Sequence, residues 1–123
     1  MSAAKTILIV EDEALVALDM ESTLSDLGHE TATATTVADA FQLLDAGRFD
    51  LAIVDYHLKD GTADQLGAAL RSRNIPFVVC SGSAGLQEFG EVFQGTPFLA
   101  KPFTTDGLLG AVSVLTSGSG DLH

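Results

Sequence analysis

The chain has 123 residues, 46% of them hydrophobic, which is enough for one domain with one core and too apolar for a disordered segment. Six Lys and Arg against 17 Asp and Glu give a net charge of −11, so nucleic acid and anionic membranes are not expected as partners, whereas metal cations and basic protein patches are favoured. The single cysteine, Cys80, excludes an intrachain disulfide and a Cys-based zinc site, and no apolar run approaches the roughly 18 residues of a membrane span.

The opening MSAAKTILIVEDE is not a signal peptide, because its apolar run is short and ends in acids. A cytoplasmic protein of one domain over 1–123 is expected, with its core at 5–116. Within it, ILIV (7–10) does not alternate with polar residues, as expected of a strand buried on both faces. Residues 13–27 place Val16, Met20, Leu24 and Leu27 on one helical face, and Gly28 supplies a stop. TATAT (31–35) alternates weakly and predicts an edge strand. A second helix over 37–46 turns Val37, Ala40, Phe41 and Leu44 inward and closes at Gly47.

LAIV (51–54) is a second buried strand. Thr62-Ala-Asp-Gln65 resembles a capping box and predicts a third helix over about 63–73, which Pro76 cannot extend. FVVC (77–80) is the next strand, with Cys80 as a small core residue. A fourth helix over about 84–93 is weakly specified, since Gly85 and Gly90 each cost about 1 kcal/mol relative to Ala. FLA (98–100) is the last strand. A fifth helix over 105–116 turns Leu108, Val112 and Leu115 inward, weakened by Gly107 and Gly110. SGSGDLH (117–123) reads as a flexible polar tail.

Strand followed by helix, five times over, predicts an α/β doubly wound parallel sheet with five helices. The favoured strand order for a unit of this size is flavodoxin-like, 2-1-3-4-5. Ligands in such sheets bind at the carboxyl ends of the strands, near the point where strand order reverses.

The residues just after the apolar runs therefore matter most. Glu11, Asp12 and Glu13 follow ILIV, Asp55 follows LAIV, Ser81 follows FVVC, and Lys101-Pro102 follows FLA. Each has an ordinary alternative. Asp12 is a good helix N-cap, Asp55 and Ser81 suit turns, and Lys101 suits a surface. All fall on one edge of one sheet, however. Carboxylates brought together there repel and raise one another's pKa, and a divalent cation relieves that repulsion. With only oxygen donors on offer, the cluster selects a hard ion, Mg²⁺ in first place. Mg²⁺, an ammonium and a hydroxyl make a phosphoryl site in which Asp55 attacks in line.

ILIVEDE, LAIVDYHLKDGT, VVCSG and FLAKPF, in that order and spacing, resemble the receiver domain of two-component response regulators, the CheY-like superfamily, over residues 5–116. The resemblance implies a stand-alone receiver in which Asp55 accepts phosphate from a sensor histidine kinase or phosphotransfer protein. It implies Mg²⁺, with Mn²⁺ as a substitute, held by Glu11, Asp12, Asp55 and the backbone carbonyl of His57. Glu11 stands where many members have Asp, and its longer side chain suits contact with the ion through water. Ser81 matches the hydroxyl residue that closes on the phosphoryl group, Lys101 the lysine that pairs with it, Pro102 a structural cis-proline and Phe98 the switch aromatic. Phe98 lacks the hydroxyl of a tyrosine switch. PFVVCSGS (76–83) loosely resembles the P-F-x-F-A-T-G-Y-G, or FAT GUY, subgroup at Pro76, Phe77, Ser81 and Gly82.

With nothing after residue 116 to act as an effector, the expected output is protein binding, phosphate relay or a phosphate sink. The implied downstream surface is the fourth helix, last strand and fifth helix. The glycines of the fourth helix predict that phosphorylation orders it. The chain is not expected to be an enzyme beyond its own phosphorylation and dephosphorylation. Two alternatives stand beside this reading. One is a pseudo-receiver used only for protein binding. The other is a phosphatase of the haloacid-dehalogenase type built on L-K-D-G-T (58–62), against which Leu58 occupies the nucleophile position.

Overall fold

The computed structural model describes residues 4–82, 96–101 and 103–118. The elements are β1 (Thr6–Val10), α1 (Ala14–Asp26), β2 (Glu30–Ala34), α2 (Val37–Ala46) and β3 (Leu51–Asp55). A short hairpin follows, of β4 (His57–Leu58) and β5 (Gly61–Thr62), and then α3 (Asp64–Ser72), β6 (Phe77–Ser81), β7 (Phe98–Ala100) and α4 (Thr105–Gly118). The main sheet has five strands in the order β2-β1-β3-β6-β7, every pairing parallel. This is the expected 2-1-3-4-5 order, with the hairpin counted apart. The expected fourth helix at 84–93 and Pro102 lie outside the described residues, as does 119–123. The last helix continues to Gly118, two residues beyond the predicted end.

The apolar runs lack alternation because both faces of the sheet are covered. Ile7, Ile9 and Ile53 pack with Met20 and Leu24 of α1 and with Leu108 and Val112 of α4. Leu8, Val10 and Val54 point the other way, onto Ala40 and Leu44 of α2 and Leu66 and Leu70 of α3. Every residue of β3 is buried, so this strand is the axis of the molecule. Burying each such Leu, Ile or Val contributes about 1.5–3 kcal/mol. β2 is an edge strand, only partly buried, as its weak alternation suggests.

The helix ends differ from expectation in instructive ways. Gly28 does close α1, with φ +93°. Its N–H donates to Ser25 C=O and that of His29 to Leu24 C=O, which is a Schellman motif. The same pattern ends α3 around Asn74, φ 58°, before Pro76 is reached. The capping box at Thr62 is not formed: Ala63 is the N-cap of α3, and the Thr62 hydroxyl donates instead to Asp64 Oδ2 at 2.9 Å. Thr62 is already committed to β5, so its backbone cannot also open the helix. Gly107, expected to weaken the last helix, lies within it, and a Cβ there would sit in ordinary contact with Thr104 Oγ1 at 3.4 Å and Leu99 Cδ1 at 3.5 Å.

Candidate functional site

Four strand ends deliver the site. β1 is followed directly by Glu11, β3 ends on Asp55 and β6 ends on Ser81, and these are the buried polar or charged residues among those described. Asp55 is the register partner of Cys80, and Ser81 of Ala100, so Lys101 emerges beside them from the end of β7. The Lys101 N–H donates to Ser81 C=O at 3.0 Å, which extends that pairing by one step.

Glu11, Asp12 and Asp55 bring carboxylate oxygens within 4.8 Å of one another. Asp12 is not the cap of α1. The N-cap is Glu13, without a side-chain hydrogen bond, so Asp12 is left for the cluster. Glu11 Oε2 accepts the Glu13 N–H at 3.0 Å, which turns its side chain back under the start of the helix. Lys101 Nζ reaches both oxygens of Glu11, at 3.1 and 3.3 Å, and Asp55 Oδ2 at 3.3 Å. Glu13 adds a looser contact at 3.5 Å. Glu13 was visible in the sequence as the third of three consecutive acids, but nothing there singled it out as a partner of Lys101.

The electrostatics follow from burial. Loss of water pushes the Glu11 carboxyl up to about 7, and the Asp55 charge adds to this, against the Glu13 N–H and Lys101. Asp55 is raised as well, again first by burial, with Lys101 opposing and Asp12 adding. Burial alone would lower the Lys101 ammonium, but its hydrogen bond to Glu11 and the charge of Asp55 outweigh that and raise it. Cys80, at the floor, is pushed up to about 12 by burial, then by Asp55 and Glu11, so it is an inert thiol. One ammonium thus faces an excess of buried negative charge. An all-oxygen donor set with surplus charge fits a hard divalent cation such as Mg²⁺.

The remaining predicted residues sit nearby. His57 lies in β4 with its side chain exposed, its ring edge-on to Tyr56 at 5.0 Å. Phe98 is half-buried and packs on the α2–α3 side of the core. Leu58 is 8% exposed within that core, so the nucleophile position of a dehalogenase-type site holds a packing residue. Asp60 lies in the turn between β4 and β5. It also accepts the Val37 N–H at 2.8 Å and the Ala38 N–H at 3.2 Å, a long-range cap of α2 that no local pattern signals.

A parallel five-stranded sheet with acids, a hydroxyl and a lysine at its carboxyl edge makes a doubly wound α/β domain with its polar cluster where such sheets bind ligands. Residues 7–113 match the family model of the response regulator receiver domain, and the chain belongs to that family. It is a receiver domain of two-component signalling. It is 31% identical over 104 residues to the phyllosphere-induced regulator PhyR of Methylorubrum extorquens, covering 81% of this chain and 39% of that protein. It is 29% identical over 113 residues to the virulence transcriptional regulatory protein PhoP of Salmonella typhimurium, covering 89% of this chain and 50% of that protein. The chain thus spans about half or less of the length of these curated relatives. Among solved structures, SdrG from Sphingomonas melonis Fr1 is 39% identical with a TM-score of 0.80, over 94% of this chain and 99% of that one. Chemotaxis response regulator CheY4 of Vibrio cholerae, at 22% identity and a TM-score of 0.82, covers 92% of this chain and 99% of its own; it shows the shared fold. No helix among the described residues is long and apolar enough to cross a membrane.

Proposed function

We propose that this chain is a cytoplasmic phosphoacceptor of a two-component relay, and that Asp55 takes the phosphoryl group. The observation that carries the reading is the placement of Glu11, Asp55 and Ser81: the buried polar residues described all lie at one sheet edge, around Lys101. A core has no structural use for such a set, and each carboxylate there costs stability when ionised.

In the transfer, an Asp55 oxygen attacks phosphorus in line, the new O–P bond forms as the N–P bond of a phosphohistidine breaks, and the imidazole leaves. Lys101 exchanges part of its hold on Asp55 for the phosphoryl oxygens, so its charge is already in position when negative charge arrives. The Ser81 hydroxyl donates to a further oxygen. Asp12 and Asp55, Glu11 through water and the His57 carbonyl would hold Mg²⁺, or Mn²⁺ in its place, which supplies charge neutralisation at the phosphoryl group. The donor is a histidine kinase or phosphotransfer protein. A cavity of about 320 Å³ lined by Leu15, Val16, Asp19, Lys101 and Phe103 opens beside the site, with Leu15 81% exposed, and gives such a donor an apolar foothold.

Output is protein binding or onward transfer of the phosphate, with Phe98 as the responsive aromatic. The acidic surface makes nucleic acid and anionic membrane poor partners. The test is incubation with acetyl phosphate and Mg²⁺, followed by peptide mapping. Phosphate on the Asp55 peptide supports the reading. No uptake favours a pseudo-receiver that only binds protein, and steady phosphate release from a phosphomonoester favours a phosphatase.

A further inference from the structure

The hairpin that hangs from Asp55 is fastened at both ends. At its base, the Ala63 N–H donates to Tyr56 C=O at 3.0 Å and the Tyr56 N–H to Cys80 C=O at 2.9 Å. At its tip, the Asp60 carboxylate takes the N–H groups of Val37 and Ala38. Those are orphan donors of the first turn of α2, and a carboxylate is well placed there against the helix dipole. The Val37 N–H holds the Asp60 carboxyl below its usual range. A third donor, Asp39 N–H, goes to the local cap, Thr36 Oγ1, at 3.0 Å.

So α2 has two caps of different kinds. Thr36 is three residues from its partner, whereas Asp60 reaches back 23 and 22 residues. The long reach has a geometric consequence. α2 follows β2, the hairpin follows β3, and β1 lies between those strands. The Asp60 tether therefore links the loops that follow β2 and β3, the two strands flanking β1, and β1 leads directly into Glu11 and Asp12. Glu11 is itself tied to the same place, because its N–H donates to Ala34 C=O, the last residue of β2, at 3.0 Å. Both halves of the acidic cluster are braced against the single connection from β2 to α2.

We propose that Asp60 is a positioning residue for the acidic site: by tying the hairpin after Asp55 to the start of α2, it fixes the spacing between the His57 carbonyl and Asp55 on one side and Glu11 and Asp12 on the other. This rests on the phosphoacceptor reading and adds a residue to it that touches neither ion nor phosphate. A metal site is sensitive to such support, since partners that only orient ligands are worth on the order of tenfold or more in affinity.

The experiment compares Asp60→Ala with Thr36→Ala in the full chain. Both remove a cap of α2, so both lower the melting temperature in chelator. Titration calorimetry with MgCl₂ then separates them. Asp60→Ala weakens Mg²⁺ binding on the order of tenfold, and Thr36→Ala leaves it near wild type. Asp60→Asn, which keeps one acceptor oxygen, recovers part of the loss. Uptake from acetyl phosphate by Asp60→Ala is slow at low Mg²⁺ and returns toward the wild-type rate when Mg²⁺ is saturating. Without metal, amide exchange in chelator is faster at residues 57–62 in Asp60→Ala than in Thr36→Ala. Equal Mg²⁺ affinity in Asp60→Ala and wild type, or an equal loss in both variants, would make Asp60 a helix cap and overturn the proposal. If wild type binds no Mg²⁺ and takes no phosphate, the phosphoacceptor reading fails first and takes this inference with it.

Discussion

Two ion pairs of nearly equal length sit in very different surroundings. Arg73 Nη2 meets Asp45 Oδ1 at 3.0 Å on the rim of α2, with side chains 39% and 72% exposed. Lys101 Nζ meets Glu11 Oε1 at 3.1 Å at the carboxyl edge of the sheet, with side chains 16% and 0% exposed. Water screens the first pair and supplies most of what either charge loses by separating, so it contributes at most about 1 kcal/mol. The second pair has little water to fall back on. It also has a surplus, because Asp55 leans on the same ammonium and Asp12 stands within reach of both acids. Distance alone therefore says little about what a pair does. The exposed pair stitches α3 to α2, and the buried cluster carries excess charge whose value lies in what it can bind.

The largest break in this comparison should come from Lys101→Ala. Removing the one ammonium leaves two buried carboxylates uncompensated, and about 3 kcal/mol of stability should be lost at pH 8 in chelator. Far less should be lost at pH 5, where the acids take up protons. Denaturant titrations at the two pH values check this, and an equal loss at both would contradict it. Asp55→Asn should act in the opposite direction, removing one repelling charge. Metal-free protein should gain about 1 kcal/mol, seen as a melting temperature a few degrees higher, while Mg²⁺ binding weakens. An unchanged or lower melting temperature would argue against a crowded site.

The third prediction follows from Glu11, whose pKa rises from 4.5 to about 7 on folding. Between those values the folded state keeps a proton that the unfolded state has released. Stability in chelator should therefore fall as pH rises through this window, by at most about 1.4 kcal/mol per pH unit for one group. Glu11→Gln should flatten the slope. Saturating Mg²⁺ should reduce it too, by stabilising the ionised form. The smallest effect belongs to the exposed pair: Arg73→Ala should cost about 1 kcal/mol or less, part of it from the lost bond to Leu44 C=O, and its effect should not vary between pH 5 and pH 8.

Much of this arrangement was legible in the chain. ILIV, LAIV and FVVC mark the three inner strands because a strand covered on both faces has no polar alternate positions, and FLA marks the far-edge strand, where only Leu99 is buried. Once those strands are set parallel, the residues that follow each fall on a common edge, so the sequence pattern alone groups Glu11, Asp12, Asp55, Ser81 and Lys101. Other features rest on partners far apart in sequence, and these the chain did not reveal. Asp60 looks like a turn former because its partners, Val37 and Ala38, are on another loop. Thr62 matches a cap pattern, but pairing with His57 fixes its backbone first. Two-residue strands such as β4 and β5 are too short to show a period. Asn74 ends α3 through a left-handed backbone that Asn tolerates, a signal overshadowed by Pro76 two residues on.

The most direct measurement is intact mass after incubation with acetyl phosphate, with and without Mg²⁺, for wild type and Asp55→Asn. One added phosphoryl group is expected on wild type with Mg²⁺, and none when either Mg²⁺ or the Asp55 carboxylate is removed. Uptake by Asp55→Asn equal to wild type, or no uptake by wild type at all, would contradict it.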